Sequence, residues 1–74
     1  MRQFATGEDG TAFEVNDMCI LKIDGERVGD AYGFGTMEKA RREAELRNRH
    51  YLRTILGSAY QDSGRDTLIW KTYP

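Results

Sequence analysis

Residues 36–57 read TMEKARREAELRNRHYLRTILG, and their spacing decides the fold. A step of about 100° per residue puts Met37, Ala40, Ala44, Asn48, Tyr51 and Ile55 on one stripe, with Leu52 beside it, as in a helix that buries one face. Thr36 stands where an N-cap hydroxyl can accept a bond from the first turn, Glu38 lies in that turn, and Gly57 follows Leu56 where a left-handed C-terminal cap would sit. A helix is predicted over about 37–56. Its small Ala40 and Ala44 allow close approach to a neighbouring layer, and Tyr51, Leu52 and Ile55 fill the wider end.

Outward from this helix, the first half of the chain reads as strands separated by turn residues. Glu8-Asp9-Gly10 parts Arg2–Thr6 from Thr11–Val15, and Asp24-Gly25 parts Met18–Ile23 from Arg27–Phe34. Asp-Gly between apolar runs is a strong short hairpin signal. Cys19, Leu21 and Ile23 form one apolar parity, and Met18 and Ile20 make the other largely apolar, so this strand is expected to be central. The following run, weakened by Gly29 and Gly33, reads as an edge or bent strand. After the helix, 57–66 is polar, and Thr67–Tyr73 is β-prone and expected to return to the sheet. The predicted fold is α+β, a single domain over 1–74. Its antiparallel sheet of four or five strands, the last at about 67–73, is packed on one face by the helix.

Composition limits the chemistry. The 74 residues carry 11 Lys+Arg against 12 Asp+Glu, and 39% are hydrophobic. No apolar run approaches the roughly 20 residues of a membrane-spanning helix. Domains this small bury only about 60% of their unfolded surface and commonly need a staple, a metal or a partner. One cysteine cannot make an internal disulfide and one histidine cannot supply a histidine-based metal cluster, so binding or oligomerisation remains. The unpaired Cys19, together with an N-terminus lacking an apolar signal region, implies the cytoplasm.

Catalytic constellations are not evident. His50 has no sequence-adjacent nucleophile, and Cys19 in an apolar run is read as core packing rather than a reactive thiol. Gly33-Phe34-Gly35 at a strand-to-helix step superficially matches a dinucleotide fingerprint. Glu38 stands where the third glycine belongs and would repel a pyrophosphate. Neither an enzyme nor a cofactor nor a bound metal is expected.

The charges are segregated. Residues 1–36 carry Arg2, Lys22 and Arg27 against Glu8, Asp9, Glu14, Asp17, Asp24, Glu26 and Asp30, a balance of −4, whereas 37–56 carry +3. Asp9 and Asp24 are turn residues first. Glu14, Asp17, Glu26 and Asp30 are less easily assigned to turns and are taken as an acidic partner-binding face on the side of the sheet away from the helix. The alternative surface is the outer helix face, with Lys39, Arg42, Arg49 and Arg53 grouped around Leu46. Glu38–Arg42, Glu43–Arg47 and Glu45–Arg49 at i,i+4 favour reading that face as solvated and self-neutralised.

The run Gly-Phe-Gly-Thr-Met-Glu-Lys-Ala-Arg-Arg-Glu-Ala at 33–44, following a meander, resembles the strand-to-helix step of the AP2 and integrase arm-binding DNA-binding domains. The resemblance implies a sheet that reads DNA through basic residues, which the −4 of the sheet half opposes. In size, lack of catalytic motifs and charge segregation, the chain is also similar to small inhibitors encoded by phages and mobile elements, the anti-CRISPR proteins among them. That similarity implies a non-enzymatic protein docking on a host protein or nucleoprotein complex through the acidic sheet face. A DNA-binding regulator using the basic helix face is the alternative, direct nucleic-acid contact being the less favoured partner, and a homodimer through the open sheet the third.

Overall fold

Thr36 closes the first turn of the helix: the Lys39 N–H donates to its Oγ1 at 3.1 Å. In the computed structural model, which describes residues 1–29, 32–60 and 67–73, this helix, α1, runs Met37–Leu56, and Gly57 ends it with φ of 57°. Both ends fall where the cap residues place them. Ala40, Ala44, Asn48 and Leu52 are its buried residues, with Met37 and Tyr51 packed partly against the core. Ile55, expected on the same stripe, is 60% exposed, since the stripe outruns the sheet at the last turn.

The strands are β1 (Arg2–Thr6), β2 (Ala12–Asn16), β3 (Leu21–Ile23), β4 (Glu26–Val28) and β5 (Lys71–Tyr73), and a single 3-10 turn, Gly57–Ala59, follows α1. They form one five-stranded antiparallel sheet in the order β4-β3-β2-β1-β5. The fold class expected from sequence is the one observed. Asp24 and Gly25 both take positive φ, 51° and 85°, the backbone of a two-residue hairpin turn whose twist matches the flanking strands. The Asp24 carboxylate also accepts the Ala12 N–H at 2.9 Å, tying this turn to the start of β2.

Three strands are shorter than expected: β5 covers only Lys71–Tyr73 of the predicted 67–73, with Leu68 buried in the core ahead of it. β4 stops at Val28 because Gly29 turns away with φ of 91°, and the Phe34 ring lies where a side chain on Gly29 would stand. Gly33 then passes so close to β3's approach that an added Cβ would lie 2.7 Å from the Cys19 and Met18 carbonyl oxygens. The Phe34 N–H beside it donates to the Cys19 carbonyl at 3.0 Å. β3 starts only at Leu21, since Asn16–Cys19 form a turn closed by the Cys19 N–H on the Asn16 carbonyl at 2.9 Å. Cys19 is therefore half-buried in a left-handed turn position, φ 61°, rather than in a strand of the core. The run containing it was expected at the sheet centre; β3 is interior but one place from the edge, and β2 is central.

The core lies between the sheet and α1, which crosses β2 and β3. Phe13, Val15 and Leu21 are its largest fully buried apolar side chains, with Ala5, Ile23, Ala40, Ala44 and Leu68 around them. Each large one contributes about 1.5–3 kcal/mol by leaving water. The alanines bring the helix backbone onto these rings and branches, as their size requires. The described helices and strands leave the opposite face of the sheet uncovered.

Candidate functional site

Strand parity fixes what the uncovered face presents, because alternate residues point to opposite sides. Ala5, Phe13, Val15, Leu21 and Ile23 point into the core. The residues between them therefore point out: Arg2, Phe4 and Thr6 from β1, Ala12, Glu14 and Asn16 from β2, and Lys22 from β3. Val28 pairs with Leu21 and packs against the core, so its neighbour Arg27 faces outward. On β5, Lys71 pairs with Phe4 and Tyr73 with Arg2, so both join the outer face. Thr72 pairs with Gln3 on the helix side, where the Gln3 amide donates to its hydroxyl at 3.2 Å and the Arg41 guanidinium donates to Gln3 Oε1 at 2.5 Å.

One row crosses all five strands in the order Lys71, Phe4, Glu14, Lys22, Arg27. At about 4.8 Å between strands it spans roughly 19 Å. A second row reads Tyr73, Arg2, Asn16. Among the described residues, four cations, Arg2, Lys22, Arg27 and Lys71, thus share the face with one carboxylate, Glu14. Lys22 stands directly between Glu14 and Arg27. Its attraction to the former opposes its repulsion by the latter, each worth about 0.2–1 kcal/mol.

Aromatic surface adjoins the cations. Phe4 and Tyr73 meet edge to face, with centroids 5.3 Å apart and planes at 76°. The Arg2 guanidinium lies 5.9 Å from the Phe4 centroid, within reach of a cation–π attraction. Arg2, Phe4 and Tyr73 line an open niche of about 500 Å³. Phe4 and Tyr73 also line a neighbouring depression with Thr6, Ile69 and Lys71.

The three described acids of the expected acidic face, Glu14, Asp17 and Glu26, do not share one surface. Among the described acids, Glu14 alone lies on the outer face. Asp17 sits in the turn after β2, 3.4 Å from the N-terminal ammonium. A hydrogen bond from its own backbone N–H, then that ammonium, hold its carboxyl below the usual range. Glu26 shares the helix-side parity of Ile23, with which it pairs, and is exposed at the sheet edge. Asp30 lies outside the described residues. Asp9 serves the loop between β1 and β2: the Thr11 hydroxyl, then its backbone N–H, bond the carboxylate and lower its pKa. The −4 of the sheet half is thus carried mainly by turns at its ends.

The basic helix face keeps much of its expected arrangement. Lys39, Arg42 and Arg53 are exposed and Arg49 is half-buried, with Leu46 52% exposed among them. Arg42 pairs with Glu38 at 3.1 Å and Arg47 with Glu43 at 3.2 Å, while Arg53 lies over the Tyr60 ring at 5.2 Å. Such exposed pairs contribute little to stability, but they partly neutralise the face.

A groove of about 460 Å³ at the other end of α1 contains Asp9, Asp24, His50 and Tyr51. Both carboxylates there accept the backbone bonds that shape their turns. Among the described residues, no three His, Cys, Asp or Glu side chains are grouped to hold a metal ion, and no helix is long and apolar enough to cross a membrane. Comparison with known protein families, curated proteins and solved structures finds no match to this chain.

Sequence reasoning missed the outer-face cations because it summed charge along the chain. The parity signal was present: Lys22 lies between core residues Leu21 and Ile23, and Lys71 and Tyr73 alternate with Thr72.

Proposed function

We propose that the uncovered face of the sheet binds the phosphate backbone of a nucleic acid. The observation that carries this reading is the register that places Arg2, Lys22, Arg27 and Lys71 on one face beside Phe4 and Tyr73. Basic side chains that track a backbone, interleaved with aromatics, are the composition of a nucleic-acid groove. Lys22 and Arg27 stand opposite each other, and a phosphate between them is attracted by both. Glu8, Asp9, Asp17 and Asp24, four of the acids behind the −4 of the sheet half, sit in turns, so on the face itself four cations meet one described carboxylate, Glu14.

The test is fluorescence anisotropy with labelled oligonucleotides at low salt. Lys22→Glu/Arg27→Glu abolishes binding, and Lys39→Glu/Arg53→Glu on the helix leaves it in place. Binding that follows the helix variant instead assigns the contact to α1 and overturns the proposal.

A further inference from the structure

We infer that the strand held by this face is unpaired, with a base stacked at the corner formed by Phe4 and Tyr73. The inference rests on the nucleic-acid reading above and adds what kind of strand is bound and where its base sits.

The geometry argues from the aromatic side. Phe4 projects from β1, the strand beside the sheet edge, and Tyr73 from the edge strand β5, in adjacent rows of the outer face. Their planes stand at 76°, so together they make a floor and a wall rather than a flat patch. Tyr73 is 49% exposed, and the neighbouring Ile69 is 80% exposed. This apolar surface is flanked by Arg2, whose guanidinium lies 5.9 Å from the Phe4 centroid, and by Lys71 in the same row as Phe4. A ligand suited to the corner needs a planar apolar face and an anion within a few ångströms of it.

A nucleotide of a single strand has both. Each base has a π-face open to stacking, and each is joined to a phosphate that Arg2 or Lys71 can reach. In a duplex the base faces are covered by their neighbours, and outward rings would meet only groove edges and sugar. The cations continue away from the corner to Lys22 and Arg27, on strands two and three places from β1. The backbone is therefore drawn across the sheet, with its base anchored at the β1–β5 side.

The experiment uses an oligodeoxythymidylate carrying one central 2-aminopurine, alone and annealed to its complement. Anisotropy reports binding, and quenching of the 2-aminopurine reports stacking. The single strand is expected to bind more tightly than the duplex and to be quenched. Phe4→Leu and Tyr73→Leu, each checked by circular dichroism, should abolish the quenching and weaken binding by about 5- to 150-fold, leaving the salt dependence unchanged. Tyr73 lies on an exposed edge strand, so its variant separates stacking from folding. Equal or tighter duplex binding refutes the unpaired strand while the backbone reading stands. Single-strand binding without quenching, or unchanged in both leucine variants, refutes the stack alone. No binding to either form refutes both readings.

Discussion

Replacing Lys22 and Arg27 together by glutamine removes two of the four described cations on the outer face while keeping a flexible polar side chain at each position. Each phosphate neutralised on a single strand contributes about −0.7 to the slope of log affinity against log salt. Engagement of all four of Arg2, Lys22, Arg27 and Lys71 gives a slope of about −2.8, and the double variant about −1.4. A fourfold rise in salt then weakens the parent protein by about 50-fold and the variant by about 7-fold. Anisotropy titrations of a labelled single strand across a salt series measure both slopes directly. Unlike a bare affinity, the slope distinguishes loss of phosphate contacts from general damage to the fold. An unchanged slope in Lys22→Gln/Arg27→Gln refutes the reasoning. So does a slope halved by the helix variant Lys39→Gln/Arg53→Gln, which would place the phosphates on α1.

Three further outcomes follow from the same structure. A double-mutant cycle on Lys22→Thr and Arg27→Thr, read by urea unfolding, should return an unfavourable coupling of about 0.2–1 kcal/mol that shrinks with salt; a favourable coupling contradicts the register. Gly33→Ala should cost at least about 1–2 kcal/mol through its left-handed backbone alone, lowering Tm by roughly 4–8 °C per kcal/mol, and an unchanged Tm would deny the close approach to Cys19. Asp9 titrates in the folded chain below its ordinary value of 3.8, so its contribution is present above about that pH and is lost as pH falls through the lowered value. Asp9→Ala should therefore be less stable than the parent at neutral pH and converge with it in acid, whereas a difference that persists below that range would assign the effect to something other than the carboxylate.

The parts of the fold set by local chemistry were readable from the residues. Thr36 bounds α1 where a hydroxyl cap must stand and Gly57 ends it with a positive φ, and Asp24-Gly25 make the hairpin turn their sequence demands. What depended on contacts distant in sequence was not. β4 looked longer because nothing local shows that Phe34 folds back over Gly29. Cys19 looked like a core residue because its parity matches Leu21 and Ile23, but Asn16 captures the segment. Its side-chain oxygen accepts the Met18 and Ile20 N–H groups at 2.9 and 3.2 Å, which holds the turn.

The site shows the same division more sharply. A sheet sorts its side chains by parity and its turns by position, so a segment of net −4 presents, among its described residues, a face on which cations outnumber carboxylates. Lys71 and Tyr73 reach that face only because β5 pairs with β1. That pairing joins the two ends of the described chain and could not be assigned before the register was known. The helix cations, by contrast, were legible from spacing, as was their pairing at Glu38–Arg42 and Glu43–Arg47.

The most direct test of the central claim is to map the contact on isotope-labelled protein by amide chemical-shift changes during titration with a short single-stranded oligonucleotide. The account predicts that the largest changes fall on β1, β2, Lys22, Arg27 and β5, with residues 39–53 of the helix left in place. Changes concentrated on Lys39, Arg42, Arg49 and Arg53, with the sheet silent, would contradict it.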